Sequence, residues 1–275
     1  MVRKPAVAGE FYPAEKKTLA NDIKRLFDST EAVKIGSGRR SVFGAVVPHA
    51  GIEYSGSVAA EVFSAIEVPE SIILICPNHT PYGKRVSICV EGEWETPLGR
   101  VAVDSTLAGL VKQYSDMVSN EPSAHSKEHS IEVILPFIQH VNPKAMIVPV
   151  SIMNDSFSYQ NCQKLAGDIS RAVKAHKKPA LIVASSDMNH YEPQQVTIRK
   201  DKLAIDRIIL MDAKGLFNAV VSHEITMCGY IPAVVAIEAC EALGATRAEL
   251  LRYTTSGETY GDLSSVVGYA GIVIY

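Results

Sequence analysis

Short continuous apolar runs alternate along this chain with longer stretches in which apolar residues recur at helical spacing. Residues 42–47, 72–76 and 180–184 are runs rich in Val, Ile and Ala, each flanked by polar or Gly/Pro segments. Runs of that length and composition predict strands buried on both faces, the pattern of a parallel sheet. Residues 145–150 predict a further core strand. Helical spacing covers 57–66, 106–114, 128–141, 158–175, 196–211, 213–221 and 231–243. Residues 86–90 and 100–104 predict a hairpin across Thr96-Pro97-Leu98-Gly99, and 249–254 and 266–274 predict two closing strands. The polar stretch 29–41 reads as a loop between an N-terminal helix and the first core strand. Alternating β and α elements predict an α/β fold of three layers, α/β/α, around a central mixed, mostly parallel sheet. No repeat, linker or low-complexity tract divides the chain, so residues 1–275 read as one domain.

Three of the core runs end in residues that bind metals or move protons. The first runs into Pro48-His49-Ala50-Gly51, the second into Pro77-Asn78-His79-Thr80-Pro81, and the third into Ser185-Ser186-Asp187-Met188-Asn189-His190. In open α/β sheets, ligands bind in the crevice beyond the carboxyl ends of the strands. Pro48 and Gly51 set a stiff corner around His49, and two prolines do the same around His79. Taken alone, His49 serves equally well as a turn cap held by a backbone hydrogen bond. Three strand ends at one topological position favour ligands, because neutral imidazole is the commonest metal ligand. Asp187 can ligate metal or orient a histidine, and His190 can act as a general acid/base. Ser185, Ser186 and Asp187 are also good helix caps.

Cys228, in Thr226-Met227-Cys228-Gly229-Tyr230, precedes an apolar helical pattern. A thiol near a helix N-terminus is expected to have a lowered pKa, which makes it a nucleophile or a soft metal ligand. Cys76, Cys89 and Cys240 are read as buried, inert cysteines. His125-Ser126-Lys127-Glu128-His129 matches the H-x-x-E-H pattern of inverted zinc proteases. That mechanism needs both histidines on one continuous helix, whereas Ser126 reads as an N-cap that leaves His125 outside. His129, on the first turn of that helix, can still reach the site as an acid/base. His140, His176 and His223 are expected to be solvated.

Composition narrows the function classes. The 275 residues are 47% hydrophobic and carry a formal net charge of −3. That near-balance removes the electrostatic argument for nucleic acid or a membrane surface as partner. No apolar stretch approaches the ~20 residues that span a bilayer. Five widely spaced cysteines without a CxxC pair fit free thiols in a reducing cytoplasm.

The motifs resemble the Memo family, a branch related in fold to the class III extradiol dioxygenases. Ala8-Gly9-Glu10-Phe11-Tyr12-Pro13 is similar to the family's opening signature. Pro48-His49-Ala50-Gly51, Pro77-Asn78-His79, Glu128-His129-Ser130-Ile131-Glu132, Ser186-Asp187-Met188-Asn189-His190-Tyr191 and Cys228-Gly229 follow in the family's order. The resemblance implies that His49 and His79 match the histidines that hold Fe(II) in the related dioxygenases. It places Cys228 where those enzymes have a glutamate, and His190 as the acid/base. Thiolate in place of carboxylate favours softer metals, so iron or copper is the implied cofactor, with zinc a further option. The implied function is a redox-active metalloprotein acting on a small organic substrate. For microbial members the implied partners are an AMMECR-type protein and a radical SAM enzyme. Two other readings stand beside it: a peptide-binding module that uses the same cleft, and a hydrolase with Cys228, His190 and Asp187 as nucleophile, base and orienter.

Overall fold

The computed structural model describes residues 1–31, 38–155 and 157–275, so part of the predicted loop 29–41 lies outside the described residues. The parallel centre of the main sheet is built from β2 (Gly44–Val47), β3 (Ser71–Pro77), β8 (Met146–Ile152) and β9 (Ala180–Ser185). Their spatial order is β2, β9, β3, β8, all mutually parallel. Every residue of β2 and β3 is buried, which is why these strands read as unbroken apolar runs. On one side, β12 (Val266–Ile274) pairs antiparallel with β2 and also carries β10 (His190–Glu192) and β11 (Ala248–Thr255). On the other, β4 (Val86–Ile88) pairs antiparallel with β8 and parallel with β7 (Val118–Asn120). The sheet is therefore mixed around a parallel core, as the alternating pattern predicts.

Helices cover both faces. One layer holds α1 (Lys16–Asp28), α2 (Ile52–Ala65) and α4 (Leu135–Val141), which pack on one another. The other chains together α3 (Ser105–Tyr114), α5 (Tyr159–His176), α8 (Tyr230–Leu243), α7 (Ala213–Ser222) and α6 (Gln194–Ile209). A last short helix, α9 (Gly257–Tyr260), follows β11. Among the described residues no helix is long and apolar enough to cross a membrane.

Three local expectations need correction. The hairpin pairs β5 (Glu93–Thr96) with β6 (Gly99–Ala102), and β1 (Val2–Arg3) joins β5 to make a separate three-stranded sheet. Residues 86–88 belong to the main sheet instead, where β8 and β7 bury them more completely than a surface hairpin would. The helix predicted from 128 is a loop through His129, followed by a 3₁₀ turn at Glu132–Ile134 and only then α4. His176 is not solvated: its side chain turns inward, with Nε2 3.5 Å from the buried Asp104 carboxylate.

Register aligns the strand ends. Val47 pairs with Ser185, and Ile75 pairs with Ala184, so β2, β3 and β9 finish at one level. Gly229, which caps α8, sits against that rim. A Cβ there would fall inside contact distance of the Ser185 carbonyl and the Ser186 side chain. Gly229→Ala should lower unfolding stability by about 1–3 kcal/mol, the usual cost of forcing extra volume into a packed contact. A urea midpoint unchanged from wild type would show that α8 does not close on the strand end in this way.

Candidate metal centre

His49 leaves β2 on the turn fixed by Pro48 and is almost wholly buried. Its Nδ1 lies 2.6 Å from Ser185 Oγ, at the end of β9. Ser185 Oγ donates its single proton to the Ser130 carbonyl at 2.9 Å, so it can only accept from His49. His49 is thereby held as the Nδ1–H tautomer, with an unprotonated Nε2 that faces Cys228 Sγ at 3.3 Å. Burial, with His129 and His79 nearby, holds its pKa well below the ordinary histidine range. The ring is neutral at neutral pH, the form a metal requires.

His79 leaves β3 and is oriented by Glu128. The carboxylate accepts the His79 backbone N–H and, through Oε1, the His79 Nδ1–H at 3.1 Å. It also accepts from Ser130 N at 2.9 Å and Ser130 Oγ at 2.6 Å. Burial alone would raise the Glu128 pKa, but the His79 hydrogen bond and charge hold it below the carboxylate range. The reciprocal effect raises His79 against the opposing pull of burial. His129 stacks on His79 with ring centroids 4.8 Å apart, and its Nδ1 lies 3.5 Å from Glu128 Oε1. Burial lowers the pKa of His129. The ligand atoms of His49, His79 and His129 all lie within 4.8 Å of one another. Among the described residues this is the one such group of three or more metal-binding side chains.

Cys228 stands beside the cluster, with Sγ 3.3 Å from His49 Nε2. The expectation of a lowered thiol pKa is reversed, because burial and the neighbouring Asp187 push it up. Gly229, not Cys228, caps α8, so the sulfur sits outside the helix's first turn. Asp187 Oδ1 accepts the backbone N–H of His49 at 2.8 Å and of Ala50 at 3.2 Å. It shapes the turn that carries His49, and burial raises its pKa. His190 lines the same cleft with Nδ1–H donated to the Thr226 carbonyl at 2.8 Å, which leaves its Nε2 bare. The cleft has a volume of about 560 Å³ and is walled by Phe11, Tyr191, Val267 and Tyr269. Among the described residues its lining contains no lysine or arginine, so those residues give it no fixed cation to receive a phosphate.

A family model described as Memo-like protein matches residues 3–273. The chain is 40% identical to a MEMO1 family protein of Methanothermobacter thermautotrophicus, over 98% of this chain and 99% of the relative. It is 41% identical to one from Sulfolobus acidocaldarius, over 99% of both chains, and 40% identical to one from Pyrobaculum arsenaticum, over 100% and 99%. The chain belongs to the Memo family.

In this Memo chain the cleft gathers all six residues singled out from sequence: His49, His79, His129, Asp187, His190 and Cys228. They differ in how they are held. Three imidazoles converge, the thiol touches one of them, and Asp187 and His190 are tied to backbone groups. Glu128, Ser185 and Thr226 orient the rings and were given no such role from sequence. The signal for Glu128 was an acid next to a histidine in a polar run. Its partner His79 lies 49 positions away, beyond any local pattern.

Asp187→Ala would strip two backbone donors of their acceptor. The expected loss in metal-free protein is on the order of 2–4 kcal/mol, from one to a few for each unpaired group. Urea denaturation measures it, and a loss under about 1 kcal/mol would show that the carboxylate does not hold this turn.

Proposed function

We propose that this Memo-family protein binds one first-row transition metal in the cleft and uses it on a small organic molecule. The observation that carries the reading is the three converging imidazoles, two of them locked as Nδ1–H tautomers by Ser185 and Glu128. Histidine ligands commonly donate their second ring N–H in this way, which fixes ring direction and raises basicity. The donor set fits iron, copper or zinc: imidazole suits all three, and the adjacent thiol adds affinity for the softer ones. A bound iron or copper would supply Lewis-acid and redox chemistry, and zinc the Lewis-acid part alone.

The chain's own residues supply the rest. Phe11, Tyr191 and Tyr269 wall the cleft and favour an uncharged, largely apolar substrate. His190 Nε2 is the atom placed to take or give a proton, because Nδ1 is committed to Thr226. The Cys228–His190–Asp187 hydrolase loses support on two counts. The ring facing Cys228 Sγ is His49, and burial keeps the thiol protonated.

Anaerobically purified protein should take up one equivalent of Co(II), Fe(II) or Cu(I), and His49→Ala/His79→Ala should take up none. Full metal content in that double variant would overturn the site. Cys228→Ser in Co(II)-loaded protein decides whether sulfur is a ligand, since a thiolate ligand gives a near-ultraviolet charge-transfer band that the variant lacks.

Ser185→Ala tests the orientation argument separately. It frees the His49 ring without removing a donor atom and should weaken metal affinity about 10–100-fold. An unchanged affinity would show that the hydroxyl does not set the ring.

A further inference from the structure

Behind the His190 side of the cleft lies a carboxylate that the proposed chemistry does not use. Asp201, on α6, is fully buried. Its Oδ1 accepts the Asn189 backbone N–H at 2.8 Å and its Oδ2 accepts the Tyr253 hydroxyl at 2.7 Å. It has room only because residue 268 is glycine, where any Cβ would overlap Oδ2. Gly268 is itself stitched to this turn, its N–H donating to the Asn189 carbonyl and its carbonyl accepting from Met188.

Asn189 is equally buried and works in both directions. Its Oδ1 accepts from Thr226 N at 3.0 Å and Thr226 Oγ1 at 3.1 Å, while its amide NH₂ donates to Glu192 at 2.6 Å. Thr226 in turn receives the His190 backbone N–H on Oγ1 at 2.7 Å and the His190 ring N–H on its carbonyl. Cys228 is two residues further along, with its sulfur accepting from Asp187 N at 3.3 Å. Two separate segments, 187–192 and 226–228, thus meet at Asn189.

We propose that Asp201 is a positioning residue for this cleft: through Asn189 it clamps the segment carrying Asp187 and His190 to the segment carrying Cys228, and so fixes the His190 ring. The assignment rests on the cleft being the functional site. It departs from that reading in placing a determinant of the site outside the cleft lining. It also gives the clamp a pH response, since burial raises Asp201 to about 7. The groups facing it are Tyr253 from β11, with Glu258 behind it, and Glu192 from β10, paired with Lys200 at 2.8 Å. From β12, Gly268 faces it.

The test is made on full-length, metal-free protein with ¹⁵N-labelled histidine. Long-range ¹H–¹⁵N spectra should show His190 as the Nδ1–H tautomer in wild type and as a mixture of tautomers in Asp201→Ala, with the exposed His223 unmoved. Asp201→Asn keeps the volume and the acceptor for Asn189, so it should restore the single tautomer. In a folded Asp201→Ala variant, an unchanged His190 would overturn the proposal. A second measurement does not depend on that variant folding. In wild type, the Asn189 and His190 backbone amides should shift together with a midpoint near pH 7, and both should be flat in Asp201→Asn. Movement of the Asn189 amide alone would refute the relay. Metal uptake by the same samples separates the two ideas. If wild type binds no metal, the metal-centre reading fails and the tautomer result stands. Normal uptake with an unmoved His190 in Asp201→Ala removes Asp201 alone.

Discussion

A carboxylate with no solvent exposure must have its acceptor sites filled, and in this protein that constraint organises the cleft. Glu128 meets it by gathering the His79 backbone and ring N–H groups together with the Ser130 backbone and hydroxyl. Those four donors come from two loops that are distant in sequence. One follows β3, and the other precedes the 3₁₀ turn at Glu132–Ile134. Removing a partner from a buried charge is far costlier than the same loss at the surface. The two loops therefore cannot separate without exposing or stranding the carboxylate, and His79 and His129 are stacked as a consequence. The helix that the sequence pattern begins at 128 is displaced for the same reason, because Glu128 and His129 are held in a non-helical loop that serves this contact.

The same stretch anchors the N-terminal segment. Glu132 is also fully buried and accepts from Arg3, from Ala6 N at 2.8 Å, from Val7 N at 3.1 Å and from the Tyr12 hydroxyl. Clamped there, the segment lays Phe11 on the His129 ring at 4.8 Å and offers the Phe11 carbonyl to Ile52 N, where α2 begins. One five-residue stretch, 128–132, thus holds two imidazoles on one side and a wall of the cleft on the other. Glu128, His129 and Ser130 make the imidazole-side contacts, and Glu132 anchors the N-terminal segment.

What was legible in the sequence follows from where the information resides. Strands buried on both faces must be apolar throughout, so β2, β3 and β9 could be read directly, and their carboxyl ends pointed to the cleft. The short edge strands carried no such signal. β4 is three residues long and is defined by its neighbours β8 and β7, so local pattern assigned it to the wrong hairpin. Candidate ligands were legible because chemistry restricts them to few residue types. Their orienting partners were not, because Ser185 and Glu128 act across 136 and 49 positions. The family resemblance supplied the order of the motifs, whereas the tautomers and the inward turn of His176 depend on partners that only the fold brings together.

The charge state of the bare cleft explains how such a site can be built without destabilising the fold. His49 and His129 are held neutral by burial, Cys228 is held as a thiol, and Asp187 is pushed up. Glu128 is held ionised, and it is surrounded by donors. His49, His129 and Cys228 therefore add little charge to the cleft. Metal binding at the proposed site would reverse that balance. The neutral His49 and His129 would serve as they stand, but recruiting Cys228 would require loss of its thiol proton, so its use as a ligand would be linked to proton release. The nitrogens of His49 and His129 would be available at no such cost, whereas Glu128 favours the protonated form of His79; the sulfur donor is conditional on the metal's affinity for thiolate. This asymmetry follows from the thiol's burial beside Asp187. A carboxylate at position 228 would meet the same burial and the same neighbouring charge, with a larger desolvation penalty for the ion.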